Sequence, residues 1–225
     1  SKTDLTISKK FNCGDQELTD FFTEKSTLFK SQLFGKTYCF VLKALPSEII
    51  AAFTISNGSI HLLSLPNNRK KILNQTVPRE KQMRQYPAVL IGRLGVDVKY
   101  QGKKIGDEIL DFIKLWFIDP QNKTGCRYLI VEGLNDDKTI TFYTRNGFKP
   151  IFSTEIQEAT YYKLPPEHKL KTRLLFFDLI VLIIIFLYLL EIFLVLRLHH
   201  FFDSYLIEKD RCLVKLIKNK HHHTY

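Results

Sequence analysis

The 225-residue sequence predicts an α/β (α+β) domain, a mixed, mostly antiparallel sheet flanked by helices, followed by an apolar C-terminal helix. Three observations carry that prediction. Helical and β-rich stretches alternate irregularly along residues 1–178, in the order strand, helix, several strands, helix, strand, helix, strands. A central segment, residues 89–115, reads as strand, glycine-bearing turn and amphipathic helix. Residues 179–196 then form an 18-residue run with a single charge, Glu191.

Taken in order, residues 1–12 are irregular, and Asp15 is a helix N-cap candidate after the Phe11-Asn12-Cys13-Gly14 turn. A helix follows to about residue 33, with Leu18, Phe21, Phe22, Leu28 and Phe29 on one face. Residues 37–45 and 49–56 read as a hairpin with Pro46-Ser47 at its turn. Residues 65–87 are polar and basic and read as a long surface loop or a broken helix. Val89, Leu90, Ile91, Leu94, Val96 and Val98 form the central strand, with Gly92 and Gly95 inside it marking a bulge or a close approach. Ile105, Ile109, Phe112, Ile113 and Trp116 recur at helical spacing. Residues 127–132 are a buried strand, and Asn135-Asp136-Asp137 caps a helix over 138–145 that Asn146-Gly147 ends. Residues 148–152, 160–164 and 173–178 are expected as further strands.

The totals narrow the function classes. The formal net charge is +10, and eight of those ten charges fall in residues 1–178. That favours anionic partners: nucleic acid, a nucleotide cofactor or a membrane surface. Plain solubility accounts for the same charge. Cysteines 13, 39, 126 and 212 make no metal or redox spacing and suit a reducing compartment, and the polar, charged residues 1–10 do not read as a signal peptide. His221-His222-His223 reads as a charged end more than as a metal site.

Chemistry concentrates at the central turn. Gln101-Gly102-Lys103-Lys104-Ile105-Gly106 joins strand to helix. Such a turn aims backbone N–H groups and a helix N-terminus at one point, which suits a phosphate. An ordinary tight connection is the alternative. Together with Ile91-Gly92-Arg93-Leu94-Gly95-Val96, this segment resembles the acetyl-CoA motif of the GNAT N-acetyltransferases. Lys104 stands where that family usually carries its first motif glycine. Phe11 to Gly14, Ala52 to Asn57, Phe142 to Phe148 and Thr172 to Leu179 extend the resemblance to the toxin-type GNAT enzymes of bacterial toxin–antitoxin modules.

The resemblance implies the GNAT acyl-CoA N-acyltransferase fold for residues 1–178, with acetyl-CoA as acetyl donor and no metal. It implies that Leu94, Gly95 and Val96 meet the pantetheine arm, that Gln101, Gly102, Lys103, Lys104, Ile105 and Gly106 hold the pyrophosphate, and that Asn135 hydrogen-bonds the cofactor. Tyr143 falls at the position of the family's catalytic tyrosine, a general acid for the leaving thiolate. An aromatic of an amphipathic helix is its bland counterpart. Glu132 is a candidate base, and a carboxylate at a strand end is as often structural.

Toxin-type relatives acetylate the amino group of aminoacyl-tRNA, so the resemblance implies that acceptor and an antitoxin protein partner, with a homodimer left open. Arg69, Lys70, Lys71, Arg79, Lys81, Arg84, Arg93 and Arg145 are the candidate substrate-binding cations. A small-amine or protein N-acetyltransferase and a non-catalytic CoA-binding, membrane-tethered interaction protein are the alternatives. For residues 179–196 three readings compete: a transmembrane helix that anchors a cytoplasmic catalytic domain, a helix buried in an oligomer, or an aberrant extension. Residues 197–225 form a basic C-terminal tail.

Overall fold

The computed structural model describes residues 10–78, 83–165 and 167–193. The chain divides into two compact units, one ending at Leu179 and the other beginning at Ile180.

The first unit is built on a six-stranded sheet. Helix α1 (Gln16–Asp20) runs through a π turn (Phe21–Lys25) into α2 (Ser26–Ser31). Asp15 caps it as expected, its carboxylate accepting from the Leu18 N–H at 2.8 Å. Strands β1 (Lys36–Leu42) and β2 (Leu45–His61) form the first hairpin. The reversal falls at Lys43-Ala44, not at Pro46-Ser47, and Pro46 lies inside β2. Proline is tolerated there because β2 begins beside the irregular end of the edge strand.

Helix α3 (Asn67–Asn74) replaces the loop or broken helix expected before β3 (Gln85–Val96). It buries Leu73, and two tyrosine hydroxyls hold its end: Tyr128 Oη donates to the Leu73 carbonyl at 2.9 Å and Tyr86 Oη to Asn74 Oδ1 at 2.7 Å. A short 3₁₀ turn (Val98–Tyr100) leads to α4 (Ile105–Ile118). Then come β4 (Tyr128–Leu134), α5 (Asp137–Arg145), β5 (Lys149–Pro150), α6 (Glu155–Tyr161) and β6 (Thr172–Asp178).

Where a strand was expected at 160–164, the chain finishes a helix. Thr154 is its N-cap, accepting from the Gln157 N–H at 3.2 Å, while Gln157 Oε1 accepts from the Ser153 N–H. That Thr-x-x-Gln pattern is a capping box in the sequence, and it outranks the local β propensity of Thr160, Tyr161 and Tyr162. The edge position of β5 likewise leaves only two residues paired where five were expected.

The sheet order is β1-β2-β3-β4-β6-β5, antiparallel at every junction except the parallel β3–β4 pair. One face buries a cluster of Ile60, Leu65, Leu73, Tyr86, Tyr128, Ile151, Phe152 and Phe176. A second cluster gathers Phe11, Cys13, Phe21, Phe22, Ile49 and Ala52 under the N-terminal helices. Phe22 is fully buried, and removing such a side chain from water is worth about 1.5–3 kcal/mol. Helix α4 packs Ile109, Leu110, Ile113 and Phe117 inward and sets Trp116 edge-on to Tyr38 and Phe112 edge-on to Phe40.

The second unit is helical over residues 180–193. Among the described residues no helix is long and apolar enough to cross a membrane. The transmembrane span expected over 179–196 is therefore not met there, and its last three residues, with the tail at 197–225, Cys212 and the histidine run, lie outside the described residues.

Candidate functional site

The one parallel junction in the sheet creates the site. Strands β3 and β4 pair over four rungs, Ala88 to Ile91 against Tyr128 to Val131, and then part. Beyond that point β3 stays with β2 (Arg93 opposite Thr54, Leu94 opposite Phe53, Gly95 opposite Ala52, Val96 opposite Ala51). Strand β4 stays with β6, Glu132 opposite Leu174 and Gly133 opposite Arg173. The register shift in the β2–β3 pairing falls at Gly92, the bulge its glycine suggested. Two strand edges thus face each other with no ladder between them, and an extended ligand can hydrogen-bond to either edge. Leu94, Gly95 and Val96 lie along the β3 edge.

Glycine allows close packing at position 95, where a Cβ would stand 3.1 Å from Cys13 Cβ and 3.2 Å from the Phe22 ring. The N-terminal helix therefore seats directly on the edge strand of the cleft. Asp97, buried at the end of β3, accepts from the Asn12 N–H at 3.0 Å and the Lys99 N–H at 3.1 Å. Gln101 Nε2 donates to the Cys13 carbonyl at 2.8 Å and the Val96 carbonyl at 3.0 Å. Its side chain ties the turn to β3 and the N-terminal segment, which leaves its backbone to face a ligand.

The turn itself uses two left-handed residues, Gly102 at φ 78° and Lys104 at φ 61°. A Cβ on Gly102 would meet nothing within 4 Å, so the turn opens outward. Lys104 is the N-cap of α4, and its side chain makes no capping hydrogen bond to the helix. Alternation of right- and left-handed backbone at an uncapped helix start makes an anion-binding concavity. Its donors and dipole fit the diphosphate of a CoA thioester. Lys103 Nζ lies 5.3 Å from the Tyr100 ring centroid. Ile105 and Gly106 form the first turn of α4, and a Cβ on Gly106 would crowd the Phe142 ring at 3.1 Å.

Tyr143 comes from α5, which Asp136 starts by accepting from the Thr139 N–H at 2.9 Å. That hydrogen bond holds the Asp136 carboxyl below its usual range. The Tyr143 ring lies on the parted end of β4, where a Cβ at Gly133 would approach it to 3.1 Å. Phe142 and Phe148 meet it edge-on, at centroid distances of 5.0 Å and 5.6 Å. Burial pushes its phenol up to about 12. The hydroxyl is protonated at neutral pH, as any phenol is, and burial makes it a weaker acid than a free one, so it is suited to donating a hydrogen bond. Gly133 is a site residue that sequence reasoning passed over; its signal was a lone glycine inside a strand pattern.

Other predicted residues fall elsewhere. Asn135 Nδ2 donates to the Leu170 carbonyl at 2.9 Å and its N–H to the Lys171 carbonyl, so it ties the end of β4 to the approach of β6. Arg69 donates to the carbonyls of Ile151 and Pro150, a clip between α3 and the sheet edge that partly buries it. Burial lowers its pKa, as it does for Arg93. The Arg93 guanidinium sits 3.7 Å over the Phe21 ring centroid, under the N-terminal helices. Arg145 is paired with Asp107 at 3.0 Å. Three of the candidate arginines thus have partners within the fold, two carbonyls for Arg69, a ring for Arg93 and a carboxylate for Arg145, and Arg145 stays more than half exposed. Lys71 and Arg84 are exposed and Lys70 partly so, while Arg79 and Lys81 lie outside the described residues.

Comparison with known proteins follows the same lines. The family described as Acetyltransferase (GNAT) domain matches residues 70–150, a stretch that runs from α3 through the cleft and the turn to α5. A tRNA-acetylating toxin of Mycobacterium tuberculosis (strain ATCC 25618 / H37Rv) is 23% identical over 139 residues, 62% of this chain and 76% of that protein. Two solved structures share the fold. AtaT complexed with acetyl-methionyl-tRNAfMet has a TM-score of 0.58 at 19% identity, covering 81% of this chain and 94% of that one. A mutant AtaT toxin bound to the C-terminus of the antitoxin AtaR and acetyl-CoA has a TM-score of 0.53 at 18% identity, covering 82% and 92%. With its parted parallel strands, the uncapped turn at the start of α4 and a domain match across both, the chain resembles the GNAT acetyltransferases, and among them the toxin-type enzymes.

Proposed function

We propose that residues 1–178 form an acetyl-CoA-dependent N-acetyltransferase that acetylates the amino group of an aminoacyl-tRNA, and that an antitoxin protein is its partner. The observation that carries this reading is one cleft bounded by three elements: the free edges of β3 and β4, the uncapped start of α4, and the buried Tyr143 phenol lying on Gly133. The acetylated tRNA and the antitoxin seen with the toxin relatives support the acceptor and the antitoxin.

Bound acetyl-CoA would supply a thioester: its acetyl carbon would bond to the amine nitrogen as the carbon–sulfur bond breaks, the nitrogen releasing one proton to water and the sulfur gaining one. The residues of this chain do the rest. Backbone N–H groups of Gln101, Gly102, Lys103, Lys104, Ile105 and Gly106 hold the diphosphate, with the helix dipole of α4 behind them. The edge of β3 at Leu94, Gly95 and Val96 orients the extended arm along the cleft. Tyr143 donates a hydrogen bond or its proton to the sulfur; at about 12 its phenol stays protonated until that moment. Phe142 and Phe148 keep water from the phenol's ring. Lys70, Lys71 and Arg84 form the cationic surface for the tRNA backbone.

Incubation of the purified chain with radiolabelled acetyl-CoA and total charged tRNA tests the reading. Label in the aminoacyl-tRNA fraction, abolished by prior deacylation, is the expected result. Label in polyamines or protein and none in tRNA would favour the broader amine acetyltransferase, and acetyl-CoA binding without any turnover would refute the enzyme.

A further inference from the structure

Asp107 occupies the first turn of α4, beside the turn that faces the diphosphate. Its carboxylate accepts from Arg145 Nε at 3.1 Å, from Arg145 Nη2 at 3.0 Å and from Asn146 Nδ2 at 2.6 Å. Arg145 is the last residue of α5 and Asn146 its C-cap. One residue before Asp107, the missing side chain of Gly106 lets α4 close on the Phe142 ring. The start of α4 and the end of α5 are therefore fastened by three hydrogen bonds and a backbone-to-ring contact, all within one turn of Tyr143.

Stability does not explain the arrangement. Arg145 is 58% exposed, and an ion pair that open to solvent contributes little. A carboxylate beside a diphosphate is also a poor electrostatic choice unless its charge is taken up elsewhere. The bidentate arginine takes it up, and its planar fork admits one relative placement of the two helix ends.

We propose that Asp107 is a positioning residue for acetyl transfer: it locks the helix end that carries Tyr143 to the helix start that holds the donor's diphosphate, so that donor seating and phenol reach are set as one unit. This rests on the acetyltransferase reading above. Without the lock, α5 keeps its cap and its packing, but the phenol loses its fixed distance from the donor.

The test is a double-mutant cycle on the full chain with acetyl-CoA and aminoacyl-tRNA. Asp107→Ala should lower kcat by about 10- to 100-fold, the cost of a misplaced reacting group, with acetyl-CoA affinity unchanged by calorimetry and Tm nearly unchanged. Asp107→Asn keeps one acceptor oxygen for Asn146 and should recover part of the loss. In a Tyr143→Phe background Asp107→Ala should cost nothing further. Multiplied losses in the double variant would overturn the proposal, since Asp107 would then act apart from the phenol. Unchanged kcat with tighter acetyl-CoA binding would overturn it too, leaving Asp107 a repulsive charge. Should the alanine variant fail to fold, Asp107→Asn carries the same cycle. A Tyr143→Phe enzyme with wild-type turnover fails differently: it removes the phenol's role itself, and the positioning role with it.

Discussion

Lys104→Gly separates two effects that share one residue. Lys104 holds φ 61° and ψ 12°, the left-handed region, at the N-cap of α4. A non-glycine residue there costs about 1–2 kcal/mol. Glycine removes that cost and adds about 0.5–1 kcal/mol of chain entropy lost on folding. The balance is a net stabilisation of about 0.5–1 kcal/mol, or about 1–4 °C in Tm for a domain of this size. Affinity should move the other way. The Lys104 side chain is exposed and crowds nothing in the turn, so its ammonium adds a screened attraction for a diphosphate. Its loss should raise the acetyl-CoA Kd a few-fold at low ionic strength and less at about 0.15 M salt, where charges are screened over about 8 Å. Calorimetric melting and titration calorimetry at two salt concentrations read both. A fall in Tm would refute the backbone argument, and tighter acetyl-CoA binding would show that the side chain obstructs the site.

Tyr143→Phe should lower kcat by about 10²–10⁴-fold while Tm at neutral pH stays put, because among the described residues the phenol makes no hydrogen bond that the change would break. The same phenol sets an alkaline limit: the unfolded tyrosine ionises near 10 and the folded one at about 12, so stability is full below pH 10 and falls as pH rises toward 12. Thermal melts across that window should show a shallower fall for the phenylalanine variant. Neutralising Lys70, Lys71 and Arg84 together should flatten the log–log salt dependence of tRNA binding by about 0.7–0.9 per lost phosphate contact, and an unchanged slope would mean that this surface is merely solvated. Arg69→Gln should lower Tm more than it changes that slope, since its guanidinium clips α3 to the carbonyls of Pro150 and Ile151. Glu158→Ala should cost about 3–5 kcal/mol, because the buried carboxylate accepts from Arg173 and from the Leu174 N–H and both would be stranded; a loss under about 1 kcal/mol in denaturant titration would contradict that account.

Local chemistry determined what the sequence made legible by itself. Asp15 and Asp136 act through neighbours three residues away, so their capping roles follow from spacing alone. The alternation of apolar residues marked β3, β4 and α4 for the same reason, and Gly92 marked its own bulge. Tertiary structure decided whatever depends on a partner distant in the chain. Helix α3 exists in its place because Tyr86 and Tyr128 reach it from two strands, and no periodicity within 65–78 records that. Helix α6 replaces part of the strand expected at 160–164 because its N-terminal capping outranks the local β propensity. Arg69, Arg93 and Arg145 look alike in sequence as free cations. Only the fold brings two carbonyls, a phenylalanine ring and an aspartate to them, and a planar guanidinium pairs readily with each. The cleft itself is of this kind. Two apolar strands read alike whether they pair along their whole length or part after four rungs, and the parting follows from the neighbours each keeps, β2 for one and β6 for the other.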